Sequence, residues 1–287
     1  MLHICSWNVN GGMHDVATYL GKNIFPQYDI VCLQELHSTM SQDIPRYVTP
    51  DNPNYPNRKI DTQLYQHLVD VAGVEFTSFF TPQMEGLHDR SPYRGVQYGN
   101  ALFVRKALPI QGFTGGMVYG KVNQLNTEAD GGTPAGKSGQ VVSIQHNGEL
   151  LTIGHFHGFW SQNGKIDMPE RLQQNAGIER LFVQHTMLHP QQPQILLLGD
   201  LNYTSNMQAL RNLVCSSIFG HNGVRPGGVH LNNVYSITDT RTQQYKKTVR
   251  EADHVIASKL LDGKVSECWV DEDVPSDHAI LHVYLTN

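Results

Sequence analysis

The sequence of 287 residues lacks several features that would assign it to a special class. No apolar stretch approaches the length needed to span a bilayer, so membrane insertion is not expected. The four cysteines form no Cys-x-x-Cys pair, which favours free thiols in a reducing compartment and hence a cytoplasmic protein. Because no repeat, low-complexity tract or break in composition divides the chain, we expect one domain over residues 1–287.

A surplus of positive charge is also missing. Lys and Arg number 21 against 26 Asp and Glu, which gives a net charge of −5 with histidine neutral. A broad basic surface for duplex DNA is therefore not expected, although a local basic patch or bound metal ions can offset phosphate charge. The N-terminal MLHICSWNVN leads directly into a motif, so neither a signal peptide nor a transit peptide is expected.

What the chain does contain is a series of short apolar runs separated by amphipathic stretches. The strand candidates are HICSWNV, DIVCLQE, FTSFFT, GNALFVRK, QVVSIQH, LLTIGHFH, QILLLGD, DHVIAS and AILHVYL. Asn147-Gly148 between two of these runs predicts a β-hairpin. Helices are predicted over roughly 16–24, 63–71, 167–185 and 204–214. Strands with interspersed helices and a hairpin indicate mixed α/β packing with antiparallel pairs.

Two stretches are predicted to be long loops that shape a substrate pocket. His37–Thr62 is rich in Pro, Asn and Asp, and Phe113–Gly139 is rich in Gly.

Polar residues follow or precede the apolar runs repeatedly. Each alone is more simply a turn, a cap or a solvated strand end, but their number indicates a site built on rigid strand ends. The residues are Asn8, Glu35, His157, Asp200, Asn202, Asp253, Asp277 and His278. Carboxylate and amide oxygens are typical ligands of Mg²⁺ or Mn²⁺, and the histidines can donate hydrogen bonds to developing charge.

The motifs SWNVNG, LQEL, GNALFVRK, HFHG, GDLN, ADHV and SDH occur in one order along nearly the whole chain. In this they resemble the endonuclease/exonuclease/phosphatase (DNase I-like) superfamily. The run HGFW…NGKIDMPERLQQ is similar to one bacterial branch of it. The resemblance implies a four-layered α/β sandwich, in which two mostly antiparallel sheets pack face to face with helices outside.

The resemblance also implies roles for the strand-end residues. Asn8, Glu35 and Asp277 would hold the metal ion, Mg²⁺ or Mn²⁺. Asp200 would orient or deprotonate the attacking water, and His278, oriented by Asp253, would act as general base or as transition-state stabiliser. Asn202 would contact the phosphate or the metal, and His157 would contact the phosphate. Asn10 stands where some relatives carry an acidic second metal ligand, which favours one metal over two.

Other residues have weaker support. Arg94, which precedes GNALFVRK, and Asn100, which lies within it, are expected substrate contacts. His155 and His157 form an H-x-H pair that is better explained by a hydrogen-bonded His155 than by zinc. Gly131–Ser138 matches a phosphate-binding loop pattern, but the required strand before it and helix after it are missing.

Three functions remain open. The favoured one is a metal-dependent phosphodiesterase, most simply a nuclease that cleaves DNA or RNA. The alternative is a phosphoesterase for a small molecule or lipid headgroup, which the acidic net charge favours. The third is a non-catalytic binding module, which the intact motif set disfavours. The sequence does not specify the oligomeric state.

Overall fold

The computed structural model describes residues 1–12, 15–49, 59–87, 93–123, 135–187, 194–220 and 227–286. The strands are β1 Leu2–Asn8, β2 Ile30–Ser38, β3 Tyr47–Val48, β4 Ile60–Asp61, β5 Phe76–Glu85, β6 Gln97–Arg105, β7 Ile110–Tyr119, β8 Lys137–His146, β9 Glu149–His157, β10 Gln194–Asp200, β11 Gly228–His230, β12 Asp253–Ser258, β13 Val265–Asp271 and β14 Ile280–Leu285. The α-helices are α1 Val16–Tyr19, α2 Leu64–Ala72, α3 Pro169–Thr186, α4 Gln208–Val214 and α5 Leu231–Val234, and a π-helical turn over Leu20–Ile24 continues α1.

Two six-stranded sheets form the centre of the fold. Their strand orders are β13-β14-β1-β2-β6-β5 and β11-β12-β10-β9-β8-β7. Within each sheet one pair is parallel, β1 with β2 and β9 with β10, and the remaining pairs are antiparallel. Both parallel pairs have helical turns in their connecting segments, since a parallel connection has to cross back over the sheet.

Apolar residues fill three layers of core. Between the sheets, Ile4 and Leu102 from one sheet belong to the same cluster as Ile153 and Leu196 from the other. A second cluster joins the outer face of the first sheet to α1 and α2, and a third joins the outer face of the second sheet to α3 and α4. Strands buried on both faces are apolar along most of their length, as the sequence runs show. The predicted four-layered α/β sandwich is confirmed.

The hairpin at Asn147-Gly148 is also confirmed. β8 and β9 pair antiparallel up to His146 and Glu149, and both turn residues have positive φ, 51° and 80°. Two consecutive positive φ values match the right-handed twist of the flanking strands.

The prediction of a loop over Phe113–Gly139 is wrong at both ends. β7 extends to Tyr119 and β8 begins at Lys137. Glycines in β7 hid the strand from a pattern-based reading, yet Gly115 needs its small size because a Cβ there would lie 2.4 Å from the Thr81 hydroxyl. Residues 124–134 lie outside the described part of the chain.

The stretch His37–Thr62 is only partly a loop. β2 continues to Ser38, and the short strands β3 and β4 pair near its end. Residues 50–58 lie outside the described ranges.

The strand β13 was not predicted, because its exposed edge position gives it no continuous apolar run.

The four cysteines are free, in agreement with the sequence-based expectation. Cys5, Cys32 and Cys268 are buried and Cys215 is exposed. Within the described ranges, no helix combines the length and the apolar character needed to cross a membrane.

Candidate active site

Polar side chains gather at one end of both sheets. Asn8, His157 and Asp200 each end a strand, and Asp253 begins one. In the register of the second sheet, Asp200 lies beside His157 on one side and beside Asp253 on the other. Residues in register point to the same face, and alternation from Leu198 in the inter-sheet core places this face toward the first sheet.

Glu35 reaches the same site through a β-bulge. Leu33 and Leu36 both pack in the outer core of the first sheet, and the pairing of β2 with β6 shifts between them. The two residues between them, Gln34 and Glu35, can therefore both be directed away from the outer core, and Glu35 has a φ of 66°. A positive φ in a residue with a side chain costs energy, and such strain clusters at functional sites.

A hydrogen bond joins the two sheets at this end. The Asn8 amide nitrogen donates to Asp200 Oδ2 at 3.0 Å, and Asn8 Oδ1 accepts from the backbone of Asn10 at 2.9 Å. Both side chains are buried. Asn8 is thus held in one orientation beside the carboxylate of the opposite sheet.

His278 lies between two carboxylates. Its Nδ1 is 3.0 Å from Asp253 Oδ2, and its Nε2 is 3.5 Å from Asp200 Oδ2. The backbone carbonyl of His278 accepts a hydrogen bond from Trp7 Nε1 at 3.0 Å, which fixes this segment against β1. The predicted pairing of His278 with Asp253 is present in the structure, and Asp200 completes a continuous chain of ionisable groups.

Burial and mutual charge shift the pKa values of these three groups. Burial raises the pKa of Asp200, against the opposing attraction of His278. For Asp253 burial also favours the neutral acid, but the charge and hydrogen bond of His278 prevail, and its pKa is lowered. Burial and Arg241 oppose the charged form of His278, whereas Asp253 and Asp200 favour it more strongly and raise its pKa. Asp253 therefore remains ionised while Asp200 and His278 compete for a proton.

His157 faces Glu35 across the inter-sheet space. Its Nε2 is 3.4 Å from Glu35 Oε1 and 3.2 Å from Lys137 Nζ. Lys137 is 6% exposed, and in the sequence it belongs to the phosphate-loop pattern Gly131–Ser138. The structure places it at the start of strand β8 rather than before a helix.

Asn202 has a buried side-chain oxygen that is suited to binding a ligand. Its backbone N–H donates to Asp200 Oδ1 at 3.0 Å and its Nδ2 to the Gly158 carbonyl at 3.3 Å. Within the described ranges its Oδ1 has no hydrogen-bond partner. Asn100 shows the same pattern, since Nδ2 donates to the Ser138 carbonyl at 2.9 Å and the buried Oδ1 has no described partner. A buried carbonyl oxygen left without a donor or cation is costly.

Asp277 and Arg94 are more exposed than the other predicted site residues. Asp277, whose side chain is 25% exposed, is 3.4 Å from Arg241 Nη1. Arg94 is exposed in the turn before β6. Its predicted role as a phosphate clamp stays a prediction.

The expected metal ligands lie on neighbouring segments of the first sheet. Asn8 ends β1, the parallel neighbour β2 carries Glu35, and Ser276, next to Asp277, donates to the Asn8 carbonyl at 2.8 Å. These donors are all oxygens, as Mg²⁺ or Mn²⁺ requires, and the oxygens of Asn100 and Asn202 that lack a partner among the described residues suit a bound cation or its waters. The residues present therefore fit a hard divalent ion.

A different cluster is the most compact one. Among the residues that the structure describes, Asp200, Asp253 and His278 form the one group of three acidic, His or Cys ligands with donor atoms within 4.8 Å of one another. Because Asp253 occupies Nδ1 of His278, we interpret this group as a proton chain. The set Asn8, Glu35 and Asp277 stays a prediction.

The helix α3 holds two site loops in place. Arg171 donates to the carbonyls of Phe159 at 3.2 Å and Asn202 at 2.9 Å, and Gln174 Oε1 accepts from the Phe159 backbone at 2.5 Å. Asp167 accepts from the first N–H groups of α4. The motif KIDMPERLQQ thus connects the segment after His157 to the segment after Asp200.

His155 is a structural hydrogen-bonding residue. Its Nδ1 donates to Gln140 Oε1 at 3.0 Å and its Nε2 accepts from Gln34 Nε2 at 2.6 Å. Both ring nitrogens are therefore engaged by amides, as expected for a hydrogen-bonded residue rather than one of a zinc pair.

Comparison with known proteins identifies the family of this chain. A sequence model described as the Endonuclease/Exonuclease/phosphatase family matches residues 5–278. The chain belongs to this family. Its name covers nucleases and phosphatases, which both hydrolyse phosphoric esters. A search of curated proteins finds no match.

Solved structures of the family share the fold. An endonuclease/exonuclease/phosphatase family protein from Leptotrichia buccalis has 15% identity and a TM-score of 0.64, with 100% of both chains covered. A mannosyl-6-phosphatase from Bacteroides thetaiotaomicron has 13% identity and a TM-score of 0.61, again with 100% of both chains covered. The human nocturnin catalytic domain with bound sulfate has 15% identity and a TM-score of 0.59, with 98% of this chain and 92% of that chain covered. At such identities the likeness shows the fold alone.

Two further cationic side chains lie near the candidate site, and no sequence pattern predicted them. Arg241 is 5% exposed, and Lys165 lies partly buried with its ammonium donating to the Glu251 carbonyl. Neither follows an apolar run, so the strand-end pattern that revealed the carboxylates gave no signal for them.

Proposed function

We propose that this family member is a divalent-metal-dependent phosphodiesterase, most simply a cytoplasmic nuclease that cleaves DNA or RNA. The observation that carries the proposal is the chain Asp253–His278–Asp200, joined to Asn8 of the opposite sheet. It supplies an oriented acid–base group near the Asn100 and Asn202 side-chain oxygens, which have no hydrogen-bond partner in the part of the chain that the structure describes.

In the proposed reaction Asp253 holds the proton on His278 Nδ1 and thereby fixes the ring, so that Nε2 faces Asp200. Either Asp200 or His278 takes the proton of the attacking water. Burial raises the pKa of Asp200, and the charges of Asp253 and Asp200 raise that of His278 against the opposing effects of burial and Arg241. The Asn8 amide restrains the Asp200 carboxylate during this transfer.

Asn202 and the His157–Lys137 pair would contact the phosphate from opposite sides of the group Asp253–His278–Asp200. Asn8, Glu35 and Asp277 would hold Mg²⁺ or Mn²⁺. When bound, such an ion polarises the phosphoryl oxygens and stabilises the leaving oxyanion.

The test uses purified protein with Mg²⁺ or Mn²⁺ and four substrates: plasmid DNA, single-stranded DNA, RNA and bis-p-nitrophenyl phosphate. We expect hydrolysis of at least one diester, lost by two or more orders of magnitude in Asp200→Asn and His278→Gln. Asp70→Asn is the matched control, because Asp70 is an exposed carboxylate on α2. If both site variants still hydrolyse the diester at the wild-type rate, the proposal is refuted.

A phosphoesterase for a small molecule or a lipid headgroup is the second candidate. The net charge of −5 favours it, because a nucleic-acid groove is commonly basic. Faster hydrolysis of p-nitrophenyl phosphate than of its bis ester, with no cleavage of nucleic acid, would support this candidate against the first. An absence of turnover of all these esters would favour a binding module.

A further inference from the structure

Two cations beside the proposed proton chain have no role in it. Arg241 Nη1 is 3.4 Å from Asp277 Oδ2, and Arg241 forms an isolated β-bridge with His278. Lys165 donates to the backbone carbonyl of Glu251, and the charges of Asp200 and Asp253 act on it. Both cations therefore lie within electrostatic reach of the groups that would activate water.

The guanidinium of Arg241 is incompletely paired. Its side chain is 6% exposed, and within the described ranges the buried Nε has no hydrogen-bond partner. The bond to Asp277 is long, and the ring of Tyr245 covers the guanidinium with its centroid 4.5 Å away. A buried arginine ordinarily has its N–H donors satisfied, so the open donor at Arg241 fits an anionic ligand.

Lys165 and Arg241 also repel each other. Burial, followed by the charge of Arg241, lowers the pKa of Lys165 to about 8. Anions already offset part of this repulsion, namely Asp277 beside Arg241 and the charges of Asp200 and Asp253 on Lys165, and a bound anionic ligand would offset it further. An arginine fork and a lysine ammonium are both suited to phosphate oxygens.

We propose that Arg241 and Lys165 form an anion-binding pair that holds the non-bridging oxygens of the substrate phosphate beside Asp200 and His278. This inference deepens the proposed function and rests on it for the identity of the substrate. In the competing interpretation Arg241 only positions Asp277 and Lys165 only anchors its loop through Glu251.

The test measures binding of inorganic phosphate by calorimetry to the folded protein, with Mg²⁺ present. We expect Arg241→Gln and Lys165→Gln each to weaken phosphate binding about tenfold and to raise KM for a turned-over ester by a similar factor. Arg241→Lys and Lys165→Arg keep the charge and are expected to recover part of the affinity. The matched controls are Arg211→Gln and Lys259→Gln, because both residues are exposed and outside the site.

A separate titration with Mn²⁺ alone tests the competing interpretation, in which Arg241 only positions Asp277. If Arg241→Gln weakens Mn²⁺ binding and leaves phosphate affinity unchanged, Arg241 is a positioning residue for Asp277 and the pair is refuted. Phosphate affinity unchanged in both glutamine variants, or undetectable in the wild type, refutes it as well. Phosphate binding that depends on the pair, without hydrolysis of any ester, would instead overturn the proposed function and leave the anion-binding pair standing.

Discussion

His155 should make the folded protein sensitive to acid. It is completely buried between the two sheets, and burial lowers its pKa from 6.5 to about 3. Its Nε2 accepts a hydrogen bond from the Gln34 amide, which also donates to Ser6 Oγ at 2.9 Å. A proton on Nε2 would face an amide donor, so the geometry as well as the burial opposes the charged ring.

The direction and size of the effect follow from proton linkage. Because the pKa of His155 is lower in the folded state, its contribution to stability is complete above about pH 6.5 and is lost as the pH falls toward about 3. Between about pH 7 and about pH 4.5 this loss amounts to about 3 kcal/mol, since each pKa unit corresponds to roughly 1.4 kcal/mol. That is a large share of the roughly 5–15 kcal/mol by which proteins are stable.

The assay is urea unfolding at these two pH values for the wild type and for His155→Gln, whose amide can replace the ring without titrating. The variant is expected to lose about 3 kcal/mol less than the wild type between the two pH values. Val142→Ala is the control, because Val142 is buried in the same core and has no titratable group. Equal pH dependence in wild type and His155→Gln would refute the reasoning, whatever the absolute stabilities.

Two further predictions concern the site. Asp253→Asn removes the charge that orients His278, so we expect turnover to fall by about 10²–10⁴ with the fold retained, whereas the exposed control Asp262→Asn keeps its rate. A loss smaller than about tenfold would contradict the assigned role. Arg171→Lys removes the fork that holds the carbonyls of Phe159 and Asn202, and we expect unfolding by urea to become easier by about 3 kcal/mol. Arg180→Lys on the same helix is the control, and an equal effect in both variants would argue against the network.

Much of the fold follows from local patterns. The inner strands are buried on both faces, so each appears as an apolar run, and Asn147-Gly148 matches the turn that their twist requires. The strand β13 and the end of β7 were not predicted, because exposure at the sheet edge weakens the apolar pattern of β13 and glycines weaken that of β7. Pairing with the next strand of the chain, β14 for β13 and β8 for β7, supplies the stability there.

The sequence by itself determined which chemistry this chain presents. Asn8, Asp200 and Asp253 stand at the ends of apolar runs, which places polar groups at the ends of rigid strands. Tertiary structure alone decided how they are combined. The bulge at Glu35 is a mismatch between paired strands, which local sequence does not reveal. The approach of Arg241 to Asp277 depends on two segments that are 36 residues apart. Distances and burial set the pKa values and the open donors, and these quantities exist only once the two sheets have packed.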